Sequence, residues 1–136
     1  MAHRLLLHPQ EIEVFYVLPA LRRQLVLFMK ERGLNQHEIA QLLEINDAAV
    51  SQYVSAKRGH QIDFSGIVLS EIKKSAQVIS NRATLLMEIQ RLLKVIRETR
   101  VLCDIHRKFS AVPAGCDPQV IKCVDGGGLI HVTAKH

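Results

Sequence analysis

Apolar positions recur at three- and four-residue intervals along most of this chain, the period of helices that bury one face. His8-Pro9-Gln10-Glu11 opens the first such pattern, with proline in the first turn and an acid behind it, and Ile12, Phe15 and Tyr16 form its apolar face. Pro19 is expected to break this helix and start the next, where Leu21, Leu25, Phe28 and Met29 recur with Arg22, Arg23, Lys30 and Arg32 between them. Gly33 reads as the stop, because the residue after a helix often needs positive φ. Asn35 then caps a short helix to about Leu43. Asn46 or Asp47 caps another to about Ala56, and Gly59 ends it.

Two longer patterns follow. The first runs from Asp63 to Ser80, with Ile67, Ile72, Ala76 and Ile79 available for burial, and Asn81 or Arg82 is either a joint or a continuation. The second runs from Thr84 to about Leu102. Leu86, Ile89, Leu93 and Ile96 fall at the spacing of a coiled-coil seam, and Leu85, Leu92 and Val95 widen the stripe. So broad a stripe suits an intramolecular core, and also the seam of a homodimer. After Cys103, Pro113, Gly115, Pro118 and the run Gly126 to Gly128 read as loop, and Leu129 to Thr133 as a short strand or frayed end. The expectation is an all-α chain in three parts: residues 1–60, a helical dimerisation region at 61–102, and a tail at 103–136.

Composition narrows the choice of partner. The chain has 136 residues, enough for one domain with an appendage. Hydrophobic residues make up 48% and aromatics only 4%, so the core must be mostly Leu, Ile and Val. A formal charge of +5 favours a polyanionic partner. No run is long and apolar enough for a membrane span, and Met1 to Leu7 lacks the cleavage site of a signal peptide. Three cysteines make a poor disulfide framework, so reduced thiols in the cytoplasm are expected.

The stretch from Asn35 to Gly59 carries the most specific pattern. Ala40 is small where two helices must cross closely, and Ile39, Leu43, Ile45, Val50 and Tyr53 are apolar where a helix-turn-helix needs its joint core. The spacing from Gln36 through Ala40 and Ile45 to Val50 and Tyr53 resembles the helix-turn-helix of the lambda-repressor-like (XRE-type) transcription regulators, over about Leu18 to Gly59. Glu44 stands where the turn usually has Gly. The resemblance implies that the second helix enters the major groove, which brings Asn46, Asp47, Ala48, Ser51 and Gln52 to the DNA. Gln52 would pair with adenine, Ser51 would donate or accept, and Ala48 would touch a thymine methyl. Lys57 and Arg58 would hold phosphates, and Gln36 with the helix start would hold another. Otherwise Ser51 and Gln52 are ordinary surface residues of a helical domain.

All three cysteines sit in the tail. Cys103, His106, Cys116 and Cys123 follow C-x2-H-x9-C-x6-C. Zinc would accept this Cys3His set, and an iron–sulfur cluster would accept the three thiolates with His106 as a candidate fourth ligand. Buried, inert thiols are the plain alternative. The whole chain is similar to a subgroup of these regulators that shares "LPALRRQL", "AAVSQY" and "KRG" with a cysteine-bearing tail after a long helix. The resemblance implies an iron–sulfur cluster, of 4Fe-4S type, on Cys103, Cys116 and Cys123. Where members often carry a further Cys, this chain has His106.

The expected function is therefore a homodimeric, sequence-specific regulator that binds double-stranded DNA. Its cluster would sense redox state, iron or a sulfur species, with one iron open to a small ligand. One alternative is a DNA-binding or antitoxin-like protein with a structural zinc. Another is a thiol enzyme using Cys103 and His106, but no oxyanion motif or substrate pocket accompanies that pair. The expectation is no enzyme.

Overall fold

The computed structural model describes residues 5–123, and every regular element among them is helical. Leu129 to Thr133, read as a short strand or frayed end, lie outside the described residues. The chain opens with α1 (Pro9–Ile12), passes through a π-helical turn (Glu13–Val17) and continues as α2 (Leu18–Glu31). Then come α3 (Gln36–Leu43), α4 (Asp47–Val54), α5 (Gly66–Val78), α6 (Arg82–Glu98), α7 (Val101–Phe109) and the short α8 (Pro118–Ile121). None is long and apolar enough to cross a membrane.

The caps follow the sequence closely. Asn35 accepts from the Glu38 N–H while the Glu38 side chain accepts from the Asn35 N–H, a reciprocal cap. Asn46, rather than Asp47, caps α4 through the Ala49 N–H. Asn81 is the joint between α5 and α6 and accepts from the Thr84 N–H. Gly33 takes φ +93° after α2.

Pro19 does not break the helix as expected. Residues 9–31 run on as one rod with a wide turn in it: the Leu18 N–H reaches back five residues to the Glu13 carbonyl. A helical proline removes a donor and clashes with the carbonyl four residues back. The π turn just ahead of Pro19 shifts the hydrogen-bond register, so the helix runs on through the proline instead of ending.

The last long pattern also differs from expectation. α6 stops at Glu98, Arg100 takes φ +65°, and a new helix runs to Phe109. Cys103 therefore lies in the first turn of α7, and the chain beyond it is helix before it is loop. Leu102 and Ile105 bury one face of α7, and Phe109 stacks on Tyr16. The partner for that face lies near the N-terminus, out of reach of any local pattern. The segment before α1 is tied to the same helix: the Leu7 N–H donates to Ser110 Oγ (2.7 Å) and the Ala111 N–H to the Leu5 carbonyl (3.3 Å).

One cluster of buried apolar residues reaches from Ile12 to Ile105. α2 supplies Leu21, Leu25, Val26 and Met29, α5 supplies Val68, Ile72 and Ala76, and α6 supplies Leu92, Leu93 and Ile96. The α6 stripe thus divides. Leu93 and Ile96 belong to the core of the single chain, whereas Leu86 and Met87, a turn or two earlier, are 63% and 65% exposed. Arg91 fastens α5 to α6, meeting the Glu71 and Glu88 carboxylates and donating to Ser75 Oγ (2.8 Å).

Candidate functional site

α3 and α4 pack against one another across the turn at Glu44–Asn46. Ile39, Ala40, Leu43, Ala49, Val50 and Tyr53 fill the joint, all buried, and Ile45 is half-buried. The turn needs one left-handed residue, and Glu44 takes it at φ +56°. Its carboxylate meets the Arg82 guanidinium at 3.0 Å, a contact that holds the first turn of α6 beside this corner.

The N-terminal ends of the two helices are tied by one side chain. Gln36 Nε2 lies 2.6 Å from the Asp47 carbonyl and 2.7 Å from Ser51 Oγ, and donates to both. Beside it His37 Nδ1 lies 3.5 Å from Asp47 Oδ1. His37 carries no motif signal, since its partner lies across the turn. Gln36, Asn46, Asp47, Ala48 and Ser51 are thereby brought together on one exposed face. Asn46 spends its Oδ1 on the cap and presents only its amide nitrogen.

Gln52 stands apart from this group. It is half-buried, and its Oε1 is buried without a hydrogen-bond partner. Its backbone carbonyl accepts from the Lys57 and Arg58 N–H groups at 2.9 and 3.3 Å, which fixes the loop carrying those two exposed cations. In this conformation the polar end of Gln52 turns inward, so it has to change rotamer before it can present both ends of its amide outward.

Cys103 and Cys116 lie near enough to Cys123 for their charges to act on it. Cys103 stands on α7, Cys116 in a turn where its N–H donates to the Pro113 carbonyl, and Cys123 just after α8, where its N–H donates to the Pro118 carbonyl. All three are free and half-buried. Burial pushes the Cys123 thiol up, and the nearby charges of Cys103 and Cys116 push it further, with Arg100 opposing. His106 does not join them. Its Nε2 donates to the Leu7 carbonyl at 2.6 Å, and it shares no hydrogen bond with Cys103. Among the described residues no three of His, Cys, Asp and Glu are gathered closely enough to close on one metal ion.

No family model, curated protein or solved structure matches the chain.

Proposed function

We propose that this chain is a DNA-binding transcription regulator of the lambda-repressor-like type that acts as a homodimer. The observation that carries the reading is the Gln36 bridge to Asp47 and Ser51. It sets two helix N-termini side by side with exposed polar side chains between them, and Lys57 and Arg58 follow on the same helix–loop unit. Helix N-termini favour phosphate, exposed polar side chains suit base edges, and the two cations suit backbone contacts. Glu44 in the left-handed turn fits the same reading, with Glu in place of the usual Gly. Ser51 and Ala48 are the base-reading residues best presented, and Gln52 joins them only after its side chain turns outward. A second copy supplies the specificity that one short helix lacks. The exposed Leu86 and Met87 are where that copy docks.

The tail is read as the holder of an iron–sulfur cluster. The donor set fits in kind: three free thiols, of which Cys123 is held protonated by burial and by its two neighbours, so that ligation would have to displace its proton. His106 is engaged elsewhere, which leaves the three cysteines as the ligands of this reading. Cys103, Cys116 and Cys123 would hold the cluster, which would supply a redox-sensitive centre and leave one iron for a small ligand. The reading assigns no catalytic residue.

Duplex selection from a random pool, followed by anisotropy titration, tests the DNA reading. Ser51→Ala should change the preference at one position of each half-site by roughly 1–3 kcal/mol, and Lys57→Ala should weaken all sequences alike and reduce the salt slope. Recovery of no preferred sequence sinks this reading. Anaerobic iron and sulfide analysis tests the tail: each Cys→Ser variant should lose iron and His106→Ala should keep it. Stoichiometric zinc without sulfide would overturn the cluster.

A further inference from the structure

A cleft of about 370 Å³ opens between the start of the α2 rod and the loop that follows α4. That volume lies within the range of small-molecule sites, roughly 300–1,000 Å³. The π turn brings Phe15 and Tyr16 to one wall, α2 adds Arg22, and the opposite wall carries Tyr53, Lys57 and Arg58. No Asp or Glu lines the cleft, and none of Arg22, Lys57 and Arg58 meets a carboxylate among the described residues. Three cations around one concavity repel each other until an anion enters. Phe15 is 57% exposed beside them, a large ring with much of its surface uncovered.

Three separate contacts hold the cleft open. Gly59, at φ +69°, lies so close to α2 that a Cβ there would stand 2.4 Å from the Pro19 carbonyl oxygen, which fixes the floor. Tyr16 is held from behind by Phe109, with ring centroids 4.1 Å apart. At the far rim, Lys108 Nζ donates to the Gln61 carbonyl at 3.5 Å. A wide helical turn, such as the one that places Phe15 and Tyr16, is often found at a functional site.

The geometry points to a binding site for a small planar ring that carries a phosphate, the chemistry of a mononucleotide. The ring lies against Phe15 and the phosphate between Arg22, Lys57 and Arg58. Stacking on an aromatic side chain tolerates any flat base, and guanidinium groups match phosphate geometry. Because Lys57 and Arg58 are also the phosphate contacts of the proposed DNA interface, the ligand competes with duplex DNA. That last consequence alone rests on the DNA-binding reading.

Calorimetric titration of the full chain, without DNA, separates the two claims. The probes are adenosine 5′-monophosphate, ribose 5-phosphate and inorganic phosphate. The nucleotide should bind saturably at one site per chain, at least about fivefold tighter than either of the others. Phe15→Ala should remove that advantage, a loss of roughly 5- to 150-fold, while ribose 5-phosphate binding stays as it was. Arg22→Gln should weaken all three probes. Both side chains line open space, so circular dichroism should show the variants folded. Three results would overturn the site: a nucleotide that binds no tighter than phosphate, a nucleotide that does not bind, or affinity unchanged in Phe15→Ala. If the nucleotide binds but leaves duplex affinity unchanged, the site stands and the shared use of Lys57 and Arg58 falls.

Discussion

Tyr16 and Phe109 lie face to face, their ring centroids 4.1 Å apart and their planes 10° from parallel. The pair joins the π turn ahead of α2 to the last turn of the helix that carries Cys103. With the hydrogen bonds of Leu7 to His106 and Ser110, it is one of the contacts that tie this helix to the N-terminal part of the chain. A stacked aromatic pair contributes about 0.5–1.5 kcal/mol beyond the area it buries. A double-mutant cycle with Tyr16→Leu and Phe109→Leu, followed by urea unfolding, should return a coupling of that size. Additive single effects would mean that the rings are merely neighbours.

Leu93 and Leu86 stand two turns apart on α6 and should respond differently to the same change. Leu93 is buried in the core of the single chain, so Leu93→Asp places an unpaired charge in an apolar interior and should cost several kcal/mol. Circular dichroism should show it unfolded or nearly so. Leu86 is exposed, so Leu86→Asp should fold normally and, in the proposed dimer, sediment as monomer. A Leu86→Asp protein that stays fully dimeric would move the interface elsewhere.

Gly59→Ala should be far more damaging than its exposed loop suggests. The new Cβ would meet the Pro19 carbonyl oxygen at 2.4 Å and the Arg23 Cβ at 2.9 Å, with φ already in the left-handed region. The conformation alone costs about 1–2 kcal/mol, and the contact with backbone adds to it. Thermal unfolding should show a clear fall in midpoint. Gly33→Ala, with open space around the new carbon, should show only the conformational part.

Glu71 should make the α5–α6 contact sensitive to acid. Hydrogen bonds from Lys74, and then from Arg91, hold its carboxyl below the usual range, against a smaller effect of burial. A carboxyl whose folded pKa is depressed contributes stability that is fully present above its unfolded pKa, about 4.3. That contribution is lost as pH falls through the folded value. Glu71→Gln should therefore lower the unfolding midpoint at neutral pH and converge with the parent chain in strong acid. Parallel curves at every pH would mean that Glu71 acts only as a hydrogen-bond acceptor.

Much of the α3–α4 corner was legible because its signals are local. A cap such as Asn35 or Asn46 acts on an N–H three residues away, and Gly33 acts on its own backbone. The positions of Gln36, Asp47 and Ser51 on one face follow from short helices at short spacing. Gln52 is expected on that face only from the resemblance, yet a side chain can turn inward from the same backbone position. The tail was legible only as a set of residue types. His106 falls at ligand spacing in sequence, but the Leu7 carbonyl, at the other end of the chain, takes its ring nitrogen.

What the sequence determined by itself is the helical class and the starts of the middle helices, because periodicity and capping are properties of neighbouring residues. Only the tertiary structure decided where α6 stops, that α7 is a helix at all, and which half of the α6 stripe is core. Local pattern is the same for a face that packs on its own chain and one that packs on another. Leu93 is buried because the rest of this chain folds over it, and Leu86 is exposed because nothing in the described residues does. Pro19 makes the same point from the backbone. Its ring is a breaker in any isolated helix, but here the preceding turn widens, and residues 9–31 remain one rod with α7 packed on its beginning.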